Sequence, residues 1–110
     1  MAGVQRLGII DDASGTVYGS GNLAFTATGN YLLSVIATNT AATAAEIYIY
    51  VVPSGTSQTS AQWGLLAYKL PLSAYNSYET FRFGVNPTDV IKVAGPAGMA
   101  FYVQGIDQTA

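Results

Sequence analysis

The segments Tyr31–Thr38 (YLLSVIAT) and Glu46–Val52 (EIYIYVV) decide the fold class, because they carry the two strongest strand signals in the chain. Both are rich in β-branched and aromatic residues, which suit a pleated, packed surface better than a helix. The connection Asn39–Ala45 (NTAATAA) consists mainly of small side chains that occupy little space. We therefore predict that the two segments are the strands of a central hairpin.

The alternation of residues within these two strands indicates how each strand is buried. Successive residues of a strand face opposite sides, so Ile47, Ile49 and Val51 form one apolar face of the second segment. The first segment is largely apolar on both of its faces. Both faces of such a strand must pack against other residues, which favours either a central position in a sandwich or contact with another subunit.

The rest of the chain consists of shorter apolar segments separated by turn-forming residues. These segments predict further strands over Val4–Ile10, Leu23–Thr28, Trp63–Leu72, Tyr78–Val85, Val90–Ala94 and Met99–Ile106. In the last of them Phe101 and Val103 are expected to face inward. Eight strands without helical periodicity predict an all-β fold, a single antiparallel β-sandwich over residues 1–110. Jelly-roll and immunoglobulin-like strand orders both satisfy this pattern.

Two of these strands carry more detailed expectations. Pro71 is expected to end its strand, because proline cannot donate a ladder hydrogen bond. In the segment that follows, strict alternation places Phe81 on the same face as Glu79 and Phe83.

Composition limits the classes of partner that the protein is expected to bind. Charged residues make up only 9% of the 110 residues, against about 25% in an ordinary soluble domain. The four basic residues are scattered singly, so we expect no nucleic-acid partner. No apolar segment approaches the roughly 18 residues of a membrane span, so we expect no membrane partner. Because interface cores are poor in charge, we expect neighbouring proteins to cover part of the exterior. A polar but uncharged surface on a monomer is the alternative.

The chain has few residues of the types that usually take part in catalysis or metal binding. The chain has no cysteine and no histidine, so it has no disulfide, no thiolate site and no side chain that ordinarily titrates near pH 7. A serine nucleophile would need Lys69 or Lys92 as its base, and paired carboxylates could hydrolyse a glycoside. The carboxylates considered are Glu46, Glu79, Asp89 and Asp107. The pair Asp11 and Asp12 could bind a hard cation, although a solvated turn explains it more simply. We predict no catalytic, cofactor-binding or metal site.

Aromatic and arginine residues are the best candidates for contacts with other proteins, since these residue types dominate interface energies. Tyr48 and Tyr50 share one face of their strand, and tyrosine combines a large contact area with a hydroxyl at the rim. Cross-strand packing within the protein explains the same pair equally well. The predicted interface residues are Arg6, Tyr48, Tyr50, Trp63 and Arg82.

Several segments together resemble a group of small virion structural proteins of tailed bacteriophages, in particular phages of marine bacteria and cyanobacteria. The resemblance covers nearly the whole chain and is most specific at Val35–Asn39 and Asn76–Phe83. The segments are Arg6–Gly8, Tyr31–Asn39, Ile49–Gly55, Leu70–Leu72, Asn76–Phe83, Asp89–Val90 and Val103–Ile106.

The resemblance implies a non-enzymatic building block of the virion, synthesised in the host cytoplasm. Its first implied role is that of a capsid cement or decoration protein, which would form a homo-oligomer, expected to be a trimer, on the major capsid protein. The alternatives are a neck, tail or baseplate accessory protein and a tip domain that binds host glycan. For the last of these, the segment Pro53–Gln62 or the tyrosine face would supply the binding surface.

Overall fold

Two antiparallel sheets form the protein, and nine strands are found in residues 3–11, 22–54 and 65–108, which the computed structural model describes. The strands are β1 (Gln5–Ile10), β2 (Asn22–Thr26), β3 (Tyr31–Asn39), β4 (Ala45–Val52), β5 (Leu65–Leu72), β6 (Ser77–Glu79), β7 (Phe83–Val85), β8 (Val90–Ala94) and β9 (Met99–Asp107). The predicted all-β sandwich is confirmed, and most predicted strand bounds agree with the observed ones within one or two residues.

The order of the strands identifies the type of sandwich. The first sheet has the order β1-β9-β3-β6, with β7 also paired to β3, and the second has the order β2-β8-β4-β5. Because β6 and β7 pair with different halves of β3, they act as one interrupted strand. The eight resulting strand positions have the order of a jelly roll, in which every connection crosses between the sheets except the one from β4 to β5. An immunoglobulin-like order is wrong, because it would place several sequential strands side by side in one sheet.

The predicted central hairpin is also wrong. β3 pairs with β9, β6 and β7 in the first sheet, whereas β4 pairs with β5 and β8 in the second. The connection between them therefore crosses from one sheet to the other. It contains no glycine and none of the Asn-Gly or Asp-Gly pairs that favour a tight hairpin turn.

The core lies between the two sheets and is filled by the inward residues of β3, β4, β8 and β9. These residues are almost completely inaccessible to solvent: Leu33, Val35, Ala37, Ile47, Ile49, Ile91, Val93, Met99, Phe101 and Val103. The expected inward positions of Phe101 and Val103 are confirmed. Since β3 and β4 are each central in their sheet, their apolar faces meet across the core.

Asn39 is a buried polar residue at the end of β3, and only 1% of it is exposed. Its Nδ2 donates to the carbonyl oxygens of Thr43 at 2.8 Å and Leu72 at 3.2 Å, with Ser73 O a further 3.3 Å neighbour. Its Oδ1 accepts a hydrogen bond from Ala41 N at 3.0 Å. One side chain thus joins the end of β3, the crossover connection and the end of β5.

Two of the detailed predictions for individual strands are wrong: the end of a strand at Pro71 and the regular alternation through Phe81. β5 continues through Pro71 to Leu72. Proline is tolerated here because β5 is an edge strand of the second sheet. A bulge at Tyr68 and Lys69 interrupts its alternation, and Lys69 has a φ of 50°. The predicted strand Tyr78–Val85 is likewise divided into β6 and β7, so Phe81 does not belong to a continuous alternating strand.

We expect Asn39→Ala to lower the free energy of unfolding by about 1–3 kcal/mol, because buried carbonyl groups lose their donor. Asn76→Ala is the matched control, since Asn76 is exposed and bonds to Asn39 and Ser73 through its backbone. Urea unfolding followed by far-ultraviolet circular dichroism measures both. Equal midpoints for the two variants would contradict the role assigned to the Asn39 side chain.

We expect Gly105→Ala to destabilise the protein by about 1–3 kcal/mol through overpacking. A β-carbon at Gly105 would lie 2.6 Å from Leu33 Cβ and 2.8 Å from Leu33 Cα, and the backbone atom cannot move aside locally. Gly84→Ala provides the control, because its nearest contact would be 3.8 Å away. Thermal unfolding of the two variants should show a lower Tm only for Gly105→Ala.

Candidate functional site

The outer face of the first sheet is the most distinctive surface among the described residues. The side chains opposite to the core residues of β3 and β9 point outward here, and the register brings Ile36 beside Tyr102 and Thr38 beside Ala100. These four residues are only partly buried. The second face of β3 is therefore partly accessible, with apolar Leu32 and Ile36 alternating with polar Ser34 and Thr38.

An apolar groove with a volume of about 150 Å³ lies at one end of this face. We call it the Ile36 groove; its outward lining residues are Ile9, Ile36, Thr38, Ala100 and Tyr102, with Asp11 at the end of β1. Ile9 is 51% exposed although it is a large apolar residue. The groove therefore presents apolar surface to the solvent, and a bound side chain would remove this surface from water.

The centre of the face is polar and holds one carboxylate in place. Glu79 Oε2 accepts hydrogen bonds from Ser34 Oγ at 3.1 Å and from Gln104 Nε2 at 3.3 Å. Ser34 is buried and Gln104 is partly buried, whereas Glu79 is exposed. The two neutral donors fix the position of the negative charge without neutralising it.

A projecting pair of residues lies at the edge of the same sheet, between β6 and β7. Phe81 is 69% exposed, and its ring meets that of Phe83 edge to face with centroids 6.4 Å apart. Arg82 is exposed and lines a shallow hollow together with Leu32 and Ile106. We call Phe81 and Arg82 the Phe81 knob.

The predicted interface residues occupy different parts of the molecule. Arg6 pairs in register with Gln104, and Arg82 lines the hollow that also contains Gln104, so both arginines lie on the outer face of the first sheet. Tyr48 and Tyr50 lie on the outer face of the second sheet, and Trp63 lies outside the described residues. The structure therefore brings together only the two arginines.

Tyr50 is completely buried and forms a small cluster with Val52 and Val90, against which Tyr48 packs. Tyr50 offers no area to a partner, so for this residue the structure favours packing within the protein. Tyr48 is partly buried and meets the ring of Tyr68 edge to face at 5.5 Å. Tyr68 is 54% exposed and is the accessible member of this aromatic group.

Sequence reasoning missed Phe81, Ile9 and Tyr68 as surface residues. Strict alternation grouped Phe81 with Glu79 and Phe83 on a single strand face, and nothing in that pattern marks the interruption of the strand. The apolar second face of β3 was a usable signal for the groove, since it already indicated a requirement for cover on two sides.

Three of the four carboxylates considered for glycoside hydrolysis lie in different parts of the molecule. Glu46 and Glu79 lie on the outer faces of opposite sheets, because their neighbours Ile47 and Tyr78 pack toward the core. Asp89 belongs to the turn before β8, where its Oδ1 and Oδ2 accept hydrogen bonds from Ser54 N at 2.8 Å and Asn86 N at 2.9 Å. Among the described residues, no three acidic side chains come together as a metal site would require.

No model of a known protein family matches this chain, and a comparison with curated proteins finds no match. The resemblance to phage virion proteins therefore rests on the sequence segments quoted above. The described residues also include no helix that is long and apolar enough to cross a membrane.

We expect Tyr50→Ser to lower the free energy of unfolding by about 3–5 kcal/mol, as is typical when a buried aromatic side chain is truncated. Tyr68→Ser is the comparison on the same face, and it should cost no more than about 1.5 kcal/mol by removing one edge-to-face contact. Chemical denaturation measures both values. A small loss for Tyr50→Ser would show that this tyrosine does not support the fold.

Proposed function

We propose that this protein is a non-enzymatic structural protein that assembles with other protein chains through the outer face of its first sheet. The observation that carries this proposal is the exposed apolar surface of the Ile36 groove, with Phe81 exposed at the edge of the same sheet. Contiguous apolar surface rimmed by polar residues is typical of protein interaction sites.

The distribution of charge supports the same proposal. The chain has only ten charged side chains in 110 residues, and Ile36, Ala100 and Tyr102 place no charge in the centre of the groove. The two arginines at the other end of the face are of the residue type that most often anchors an interface. The face therefore combines a weakly charged apolar part with cationic anchors at its margin.

We propose further that the protein assembles on a bacteriophage virion, as a cement or decoration protein on the head surface. The support is the resemblance of Val35–Asn39 and Asn76–Phe83 to phage virion proteins. Jelly rolls occur in viral capsid domains but also in lectins and cupins, so the fold is compatible with the proposal without identifying the function. A neck, tail or baseplate position uses the same type of contact.

Binding of host glycan is a second candidate function, favoured by the exposed ring of Tyr68 beside Tyr48. Lys69 Nζ lies 5.8 Å from the centre of the Tyr68 ring, which adds a hydrogen-bond donor next to the aromatic surface. This candidate uses the second sheet, so variants on the two sheets separate it from the assembly proposal.

Association of the purified protein is the first test. We expect sedimentation equilibrium to give a mass above the 11.5 kDa of one chain. Ile36→Lys should shift the mass toward that value, because it places a charge in the groove. Tyr75→Lys is the control, since Tyr75 is 71% exposed in the turn between β5 and β6. A monomeric wild-type protein that also fails to bind purified phage heads would contradict the proposal.

The position on the particle needs a separate measurement, namely the copy number in purified virions by quantitative mass spectrometry. A copy number that follows the capsid lattice supports decoration of the head. The low copy number of a ring or a tip supports a neck or tail position, and absence from the virion contradicts the phage assignment. Binding of the protein to host polysaccharide, lost in Tyr68→Ser, would support the glycan candidate.

A further inference from the structure

We infer that the Ile36 groove binds the Phe81 knob of a second copy of this chain. This inference rests on the proposed assembly function and specifies the partner of its surface. The knob and the groove are parts of the same sheet, and each presents what the other lacks: a projecting aromatic ring and an open apolar recess.

The exposure of Phe81 follows from a specific interruption of the edge strand. Thr80 is buried, its N–H donates to Val35 O at 3.0 Å, and its Oγ1 accepts a hydrogen bond from Val35 N at 3.0 Å. A side-chain oxygen thus takes the place of the backbone carbonyl that would continue the ladder. β6 ends at Glu79 and β7 begins at Phe83, so Phe81 lies in the interruption with most of its ring in solvent.

The dimensions of the groove suit an aromatic ring. An enclosed apolar cavity of roughly 150 Å³ binds a molecule of benzene, which has the size of the phenylalanine ring; the Ile36 groove is open on one side, so a second chain would have to close it. The Ile36 groove has about this volume and its outward lining is formed largely by isoleucine, alanine and tyrosine side chains. Phe81 does not fill its own groove, because it is 69% exposed in the single chain. We therefore assign the groove to the Phe81 ring of a second copy.

Complementary charge fixes the orientation of this contact. Arg82 follows Phe81 in the knob, and Asp11 lies at the end of the groove; both side chains are exposed. Insertion of the Phe81 ring therefore brings a guanidinium group toward a carboxylate of the other chain, and such pairs define the register of an interface. Arg6 and Glu79 add one further charge of each sign to the face, so two copies do not meet with an excess of like charge.

The first experiment measures self-association of the full chain by sedimentation equilibrium. We expect Phe81→Ser to raise the dissociation constant by about tenfold or more. Arg82→Asp and Asp11→Arg should each weaken association, and the double variant should recover most of the wild-type affinity. Tyr75→Ser, an exposed aromatic residue outside the face, is the control and should leave the dissociation constant unchanged. Matching Tm values would establish that the variants are folded.

The second experiment uses the absence of cysteine from the chain. Arg82→Cys and Asp11→Cys place one thiol beside the Phe81 ring and one at the end of the groove, and both variants keep the ring itself. When the two variants are mixed under mild oxidation, we expect a disulfide-linked heterodimer on a non-reducing gel. The control mixture contains Tyr75→Cys with Asp11→Cys and should yield far less of the linked product.

The outcomes separate this inference from the proposed function. A wild-type protein that does not self-associate, or one whose association is unaffected by Phe81→Ser, overturns the inference. The proposed function then still holds if the wild-type protein binds phage heads and Ile36→Lys does not. Loss of affinity in Phe81→Ser without recovery in the charge-exchanged double variant overturns the pairing of Arg82 with Asp11. Absence from virions contradicts the phage assignment and leaves the knob-in-groove contact intact.

Discussion

The hydrogen bonds of the Asn39 side chain are the interaction on which the arrangement of this sandwich depends. Asn39 is buried where β3 leaves the first sheet, and its amide holds the crossover connection and the end of β5 in fixed positions. A buried amide that lost these partners would carry a desolvation penalty, so alternative paths of the connection are disfavoured. The same side chain thus joins the end of β3 in the first sheet to the end of β5, the strand beside β4 in the second sheet.

The two sheets have different outer faces. On the second sheet, Tyr50 and Val52 are inaccessible to solvent, and Tyr48 packs against them. On the first sheet, the residues around Ile36 remain partly accessible and form an open groove. The open apolar groove on the first sheet is the surface that the proposed role in assembly would use. The small number of charged side chains lowers the cost of removing that side from water.

The sequence predicted some features correctly because they depend on local pattern alone. The alternation of Ile47 and Ile49 with polar or aromatic neighbours predicted their burial, and the bounds of Val90–Ala94 agree with those of β8. The candidate site was predicted only in part. Arg6 and Arg82 do share a face, whereas Phe81 was assigned to a regular strand because the hydrogen bond between Thr80 Oγ1 and Val35 N joins residues that are distant in sequence.

The amino-acid sequence by itself determined that the chain forms short antiparallel strands with a core of alternating apolar residues, since a period of two needs only neighbouring residues. The tertiary structure decided which strands pair, that β3 and β4 belong to different sheets, and that Tyr50 is buried while Phe81 is exposed. The physical reason is that pairing and burial depend on contacts between distant segments. These contacts are selected by the free energy of the whole packed chain, so the local sequence pattern does not predict them.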